Sequence, residues 1–121
     1  MLYLKRNIGS TLIALWKIEE SFDELLAMLD DESLLGNIMS VKSAKIRLEK
    51  VAVRVLLKTI LGEEQRIVYN EAGRPFLCGN SLNVSISHTN GFAAIALNKS
   101  HEVGLDIEYI SDKILRVKER I

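Results

Sequence analysis

The sequence is poor in cysteine, histidine and long apolar runs, and each shortage excludes a class of protein. The single cysteine, Cys78, excludes an intrachain disulfide and favours a reducing compartment. Two histidines and one cysteine supply too few ligands for the usual structural zinc site. No apolar run reaches the roughly 18 residues of a membrane span, and the opening MLYLKRNIGST lacks the features of a signal peptide. We therefore expect a cytoplasmic protein with no membrane partner.

The chain also lacks net charge, because 16 basic residues balance 16 acidic ones. A neutral total gives no whole-molecule attraction to nucleic acid, so no nucleic-acid partner is expected. A length of 121 residues, 48% of them hydrophobic, fits one domain with a real core, residues 1–121. The charge is unevenly spread, since residues 19–32 carry acidic residues and no basic one. Such a run is typical of a solvated helical face and loop.

Capping residues and periodicity predict two helices. Ser21 and Glu24 have the spacing of a capping box before an apolar run, so a short helix begins there. Ser40 is predicted to cap a long helix over residues 41–61, which ends at Gly62. Apolar residues recur in it largely at helical spacing and are predicted to form its buried stripe: Ala44, Leu48, Val51, Ala52, Val55, Leu56 and Leu61.

The rest of the long helix is basic, and two interpretations remain open. Its lysines can simply keep an amphipathic helix soluble, or they can form a face that binds an anion or an acidic partner. Glu49 is the only acidic residue opposing the basic set, which comprises Lys42, Lys45, Arg47, Lys50, Arg54 and Lys58.

The remaining segments read as short strands and turns. Asn90-Gly91 is the dipeptide favoured in a type I′ hairpin turn, and the Glu71–Pro75 stretch is a second turn. Together with the helices, the strands predict an α+β fold: an antiparallel sheet of about four or five strands packed on one long helix. A final helix is predicted from Ser111. The strands are predicted over Thr11–Ile18, Arg66–Asn70, Phe76–Leu77, Asn83–Thr89, Phe92–Leu97 and Glu102–Glu108.

Two acids on the last predicted strand are candidate metal ligands. Asp106 and Glu108 lie two residues apart, so they share one face of a strand at roughly 6–7 Å along the chain. A dication such as Mg²⁺ reduces the repulsion between them, although paired acids on an exposed strand are also common. His88, at the end of an earlier strand, is either a phosphate contact or an ordinary hydrogen-bonded histidine.

Three motifs occur in a fixed order after the long helix, which ends LLKTILG: GRPFL at 73–77, NVSISHT at 83–89 and VGLDIE at 103–108. In combination, from about Ser40 to Glu108, they make the chain resemble the Sfp-type 4′-phosphopantetheinyl transferase superfamily. The resemblance implies one repeat of that two-fold fold. It also implies Mg²⁺-dependent transfer of phosphopantetheine from coenzyme A to a serine of an acyl or peptidyl carrier protein.

The resemblance assigns roles residue by residue. Asp106 and Glu108 match the metal-binding and catalytic acids, and Ser87 and His88 match residues that hold coenzyme A phosphates. The remaining cofactor-binding candidates flank the nucleotide in the family. Gly73, Arg74 and Pro75 match a G-K-P element beside the adenine nucleotide, and Lys42 and Lys45, with Arg47 as a neighbouring candidate, resemble a basic pair near the 3′-phosphate.

One family motif has no match in these residues. The second half of the family fold carries W-x-x-K-E-A-x-x-K, whose Glu is a third metal ligand, whereas Lys118-Glu119 lacks the flanking Trp, Ala and Lys. We therefore expect the chain to be the first half of a two-lobed transferase, with an exposed docking surface that favours homo-oligomers. The alternatives are a non-catalytic domain that binds coenzyme A or a carrier protein, and an interaction module with an accidental match.

The missing motif leads to a first prediction. The 121-residue chain should show little or no transfer of labelled phosphopantetheine from coenzyme A to an apo carrier protein, because a metal ligand and a phosphate-binding lysine are lacking. Robust turnover by the purified chain would refute this expectation.

Overall fold

Six antiparallel strands form the sheet in the part of the chain that the computed structural model describes, residues 1–30, 38–78, 82–89 and 91–99. A 3₁₀ turn at Ile38–Ser40 separates helices α1 (Phe22–Leu26) and α2 (Ala44–Leu61). The order across the sheet is β1-β2-β6-β5-β4-β3. The strands are β1 (Leu2–Ile8), β2 (Thr11–Lys17), β3 (Ile67–Tyr69), β4 (Pro75–Leu77), β5 (Asn83–Thr89) and β6 (Phe92–Asn98).

The α+β class, with an antiparallel sheet and one long helix, is confirmed, but the sheet has six strands among these residues instead of the predicted four or five. The additional strand is β1, which was not predicted from the sequence. It forms a hairpin with β2, in which Ile8 pairs with Thr11 across Gly9 and Ser10. Gly9 has a positive φ of 61°, which suits the tight turn.

Helix α2 begins three residues later than predicted. Its N-cap is Ser43, whose hydroxyl accepts a hydrogen bond from the Ile46 N–H at 3.2 Å, so the assignment of Ser40 as the cap is wrong. Ser40 instead lies in the 3₁₀ turn that precedes the helix. The end is as predicted: Gly62 adopts the left-handed conformation, and its N–H donates to Lys58 O at 2.8 Å. The short helix α1 is likewise confirmed, with the Ser21–Glu24 capping box formed.

Helix α2 packs across one face of the sheet, and the main core lies between them. Every residue of β6 is buried, which fits its position between β2 and β5. Pairing register and alternation point Ile95, Val84 and Ile86 toward α2, where they meet the stripe around Leu56. The opposite face has a smaller cluster of Ile13, Leu15, Phe92, Ala94 and Ala96.

The predicted stripe of α2 is correct at its centre and wrong at one position, Ala44. Val51, Ala52, Val55 and Leu56 are buried, but Ala44 in the first turn is exposed. Arg54, which was counted with the solvent-facing basic residues, is only 9% exposed. A buried arginine on a core helix needs a local explanation, because a desolvated charge is costly unless it finds partners.

Several predictions fall outside the described residues. These are the strand Glu102–Glu108, with Asp106 and Glu108, and the final helix from Ser111. None of the described helices combines the length and the apolar character needed to cross a membrane.

The cap of α2 gives a prediction about stability. Ser43→Ala should lower the free energy of unfolding by about 1 kcal/mol, because the Ile46 N–H loses its side-chain partner. Ser43→Asp should stay close to the wild type, since aspartate caps equally well and its charge suits a helix N-terminus. Urea denaturation measures both. An alanine variant as stable as the wild type, or an aspartate variant as weak as the alanine one, would contradict the capping role.

Candidate functional site

A cavity of about 470 Å³ lies where α2 meets the strands β3 and β5. Its volume falls within the roughly 300–1,000 Å³ typical of small-molecule sites. Its lining joins an aliphatic wall to four polar side chains and, among the described residues, contains no carboxylate. The lining comprises Ile38, Val41, Lys50, Val53, Arg54, Ile67, Val68, Tyr69, Ile86 and His88.

Helix periodicity places two cations in this cavity. Lys50 and Arg54 are four residues apart, so they lie on one face of α2, one turn from each other. The Lys50 ammonium lies 5.9 Å from the centre of the Tyr69 ring, in cation–π contact. Tyr69 is 55% exposed and marks the open side of the cavity. Among the residues that the structure describes, the lysine charge lies against an aromatic face and forms no ion pair with an acid.

Arg54 is the buried cation of the site. Its Nη1 donates a hydrogen bond to the Gln65 carbonyl oxygen at 2.8 Å, which ties α2 to the segment that enters β3. Among the described residues, no carboxylate forms an ion pair with it. Burial lowers the pKa of Arg54; Tyr69 acts in the opposite sense, and the nearby Arg66 charge lowers the pKa further. The guanidinium therefore carries a charge that the described part of the protein does not neutralise.

His88 completes the polar lining from β5. It pairs with Ala93 of β6 and shares the helix-facing side of the sheet with Val84 and Ile86. Its Nε2 is buried and forms no hydrogen bond with any described residue. An unpartnered buried ring nitrogen is uncommon and indicates a place for a ligand or a water molecule.

The electrostatic surroundings keep His88 neutral. Burial lowers the pKa of its imidazole, and the Lys50 charge lowers it further. The Glu49 carboxylate and a hydrogen bond to the Glu49 backbone act in the opposite direction without reversing the shift. Protonated His88 can donate a hydrogen bond from Nε2 to a ligand oxygen, and a bound anion would favour this protonated form.

The arrangement suits an anion with an attached flat or apolar group. Lys50 and Arg54 supply positive charge at low local dielectric, where a charge-assisted hydrogen bond is strong. Ile38, Val41 and Tyr69 supply apolar and aromatic surface beside them. A phosphate ester of a nucleoside has this combination of groups.

The structure separates the predicted site residues. The cavity lining includes His88 and none of the other predicted site residues that the structure describes. Ser87 pairs with Ala94, whose side chain belongs to the cluster on the opposite face of the sheet, so the Ser87 side chain points away from α2.

The GRP element forms the turn of the β3–β4 hairpin. Gly73 has a φ of 81° and donates to the Asn70 carbonyl oxygen at 2.9 Å, while the Arg74 N–H donates to Asn70 Oδ1 at 2.8 Å. Pro75 begins β4 and pairs with Tyr69, the aromatic residue at the cavity mouth. The predicted turn is therefore confirmed, whereas a role in binding nucleotide stays a prediction.

The predicted basic residues at the start of α2 lie outside the cavity. Lys42 precedes the helix and Lys45 occupies its first turn, and both are exposed. Arg47 is half-buried: its guanidinium carbon lies 5.1 Å from the centre of the Phe22 ring, and Nη1 donates to Val41 O at 3.3 Å. Arg47 thus joins α1 to α2.

The acids proposed for metal binding, Asp106 and Glu108, are outside the described residues. Within those residues there is no group of three histidine, cysteine, aspartate or glutamate side chains that could hold a metal ion. Comparison of the chain with protein-family models, curated proteins and solved structures finds no match.

Sequence reasoning included Lys50 and Arg54 in a possible anion-binding face without singling them out as site residues, and it missed Tyr69. A signal for the first two was present, because a lysine and an arginine spaced i, i+4 share a helix face whether or not that face is exposed. Tyr69 carried no comparable signal, since its role depends on the pairing of β3 with β4 and on the docking of α2.

The lowered pKa of His88 predicts a pH-dependent stability. With its folded-state pKa below the unfolded value near 6.5, the histidine adds stability above that value, and this stability is lost as pH falls through the folded pKa. His88→Gln removes the titrating group, so its unfolding free energy should fall less over the same acidic range. Urea denaturation at pH values from about 5 to 8 measures the difference. Parallel curves for the two proteins would contradict a depressed pKa.

Proposed function

We propose that the chain is the coenzyme A-binding half of a Mg²⁺-dependent 4′-phosphopantetheinyl transferase, which moves phosphopantetheine from coenzyme A to a serine of a carrier protein. The sequence support is the ordered set GRPFL, NVSISHT and VGLDIE after a basic helix. The structural support is an α+β unit in which the histidine of SISHT and the basic helix line a common cavity.

The observation that carries the proposal is the buried, uncompensated positive charge. Arg54 is nine-tenths buried without a described carboxylate partner, and Lys50 lies one turn away on the same face. Leaving charge uncompensated at a buried position costs free energy, which a bound anion recovers. Coenzyme A carries a 3′-phosphate and a diphosphate, and the cavity suits its nucleotide end better than its extended pantetheine arm.

The residues present fit a phosphate group. Lys50 and Arg54 would hold phosphate oxygens by charge-assisted hydrogen bonds, and the unpartnered Nε2 of His88, protonated in the presence of the anion, would donate one more. Tyr69 would cover the nucleoside at the mouth of the cavity. This arrangement positions the substrate, which is the main contribution of a protein to phosphoryl transfer.

The metal part of the proposal depends on the resemblance. Asp106 and Glu108 are the proposed Mg²⁺ ligands, and the metal would neutralise charge that develops on the leaving phosphate, which departs as part of adenosine 3′,5′-bisphosphate. The oxygen donors of two carboxylates suit this ion, whose remaining positions are usually filled by water and phosphate oxygens.

Calorimetric titration of the 121-residue chain with coenzyme A, in the presence of Mg²⁺, tests this function without requiring turnover. Lys50→Ala and His88→Ala should each weaken binding, the lysine change by about tenfold, because a charged hydrogen bond to phosphate is lost. Asp106→Ala should abolish the dependence of binding on Mg²⁺. Lys5→Ala is the matched control, since Lys5 lies exposed on β1, at the opposite edge of the sheet from β3.

Two results would overturn the proposal. A wild-type chain that is folded by circular dichroism but does not bind coenzyme A has no such function. Equal losses in the Lys50 and Lys5 variants would show that attraction is non-specific and does not involve the cavity.

A further inference from the structure

The two cations of the cavity are held in different ways. Arg54 is nine-tenths buried, and its hydrogen bond to the Gln65 carbonyl oxygen at 2.8 Å fixes the guanidinium against the backbone. Lys50 is half-buried and forms no ion pair with a described carboxylate. Its ammonium instead lies 5.9 Å from the centre of the Tyr69 ring. Since a lysine side chain is long and flexible, its position in the cavity depends on such a contact.

Tyr69 is fixed in turn by the hairpin that follows it. It pairs with Pro75 in the ladder between β3 and β4, and the residues between them form a tight turn. The Asn70 N–H donates to the Arg74 carbonyl oxygen at 3.0 Å, and Asn70 Oδ1 accepts from the Arg74 N–H at 2.8 Å. The turn that contains the GRP element lines no part of the cavity, but it holds the tyrosine that does.

We propose that Tyr69 is a positioning residue, whose ring holds the Lys50 ammonium in the cavity so that the ammonium meets a bound phosphate oxygen. An ammonium that lies against an aromatic ring keeps its full charge and its N–H donors. A carboxylate partner would neutralise that charge and would have to be displaced by the incoming anion. The aromatic contact therefore places the lysine without reducing its attraction for an anion. That the anion belongs to coenzyme A rests on the proposed function.

The position of Lys50 also affects His88 in the protein without ligand. Glu49 and Lys50 of α2 are the charged groups that act on the imidazole, and Arg54 and Tyr69 line the same cavity. The Lys50 charge lowers the pKa of His88, so this pKa should rise when the ammonium moves out into solvent. The pKa of His88 therefore reports where the Lys50 ammonium lies.

Two substitutions of Tyr69 separate the effect of its ring from that of its bulk. Tyr69→Leu removes the aromatic face, whereas Tyr69→Phe keeps it and loses only the hydroxyl. Because Tyr69 is 55% exposed, neither change opens a cavity in the core. Nuclear magnetic resonance of the ligand-free 121-residue chain should show a raised His88 pKa in Tyr69→Leu and the wild-type value in Tyr69→Phe. Combined with Lys50→Met, Tyr69→Leu should cause no further rise, because no ammonium is left to position.

Inorganic phosphate is the probe for anion binding, because it has no base for the tyrosine ring to cover. Tyr69→Leu should weaken phosphate binding by about threefold, and Tyr69→Phe should restore the wild-type affinity. In the Lys50→Met background the tyrosine change should have no effect. The matched control is Phe22→Leu, which removes a cation–π contact with Arg47 outside the cavity and should leave phosphate affinity unchanged. Affinity for coenzyme A with Mg²⁺ is measured beside it.

The proposal fails on any of four results. These are equal effects of the leucine and phenylalanine changes at Tyr69, an effect of Tyr69→Leu that persists in the Lys50→Met background, an equal loss of phosphate affinity in Phe22→Leu, and a folded wild type that does not bind phosphate. Phosphate binding that depends on the Tyr69 ring, in a chain that does not bind coenzyme A, would support the positioning role and count against the proposed function.

Discussion

Burial of the Arg54 guanidinium between α2 and the segment entering β3 is the constraint on which the chemistry of the cavity depends. One hydrogen bond, to the Gln65 carbonyl oxygen, fixes its position but leaves its charge uncompensated among the described residues. Lys50 brings a second cation one turn away. Because buried like charges are costly, a bound anion would stabilise this arrangement. The proposed affinity for an anion therefore follows from how the helix is packed.

The fold holds this constraint in place. The caps at Ser43 and Gly62 set the length of α2, and the core beneath it sets its rotation, so Lys50 and Arg54 face the cavity while Val51 and Val55 face the sheet. Strand alternation then brings His88 to the same side as α2 and sends Ser87 to the other. Lys42 and Lys45, before and within the first turn of α2, are exposed and lie outside the cavity.

Local sequence signals predicted local structure well and tertiary placement poorly. The capping box of α1, the glycine that ends α2 and the Asn90-Gly91 hairpin are predicted from residues a few positions apart. The structure has the cap and the helix end, and it pairs Thr89 with Phe92 in antiparallel strands. Ser40 and Ser43 are both residues of a type that caps helices, so the sequence alone does not distinguish them, and the structure has the cap at Ser43. The sequence alone does not distinguish Arg54 from the solvent-facing cations of α2, because its burial depends on where the chain turns back to form β3. In β1 the alternation of apolar and polar residues is interrupted at Arg6. The sequence pattern therefore did not indicate a strand, and the structure shows one by its pairing with β2.

The most direct measurement is the pKa of the His88 imidazole, followed by nuclear magnetic resonance of its ring nitrogens with and without coenzyme A. His88 lies in the cavity with Lys50 and has no described partner at Nε2, so it reports on whatever anion enters. A phosphate bound there should raise its pKa from the lowered value of the free protein, because the anion favours the protonated ring and offsets the lysine charge. Binding of coenzyme A with no change in the His88 pKa would show that the ligand lies elsewhere and that the buried cations serve the fold alone.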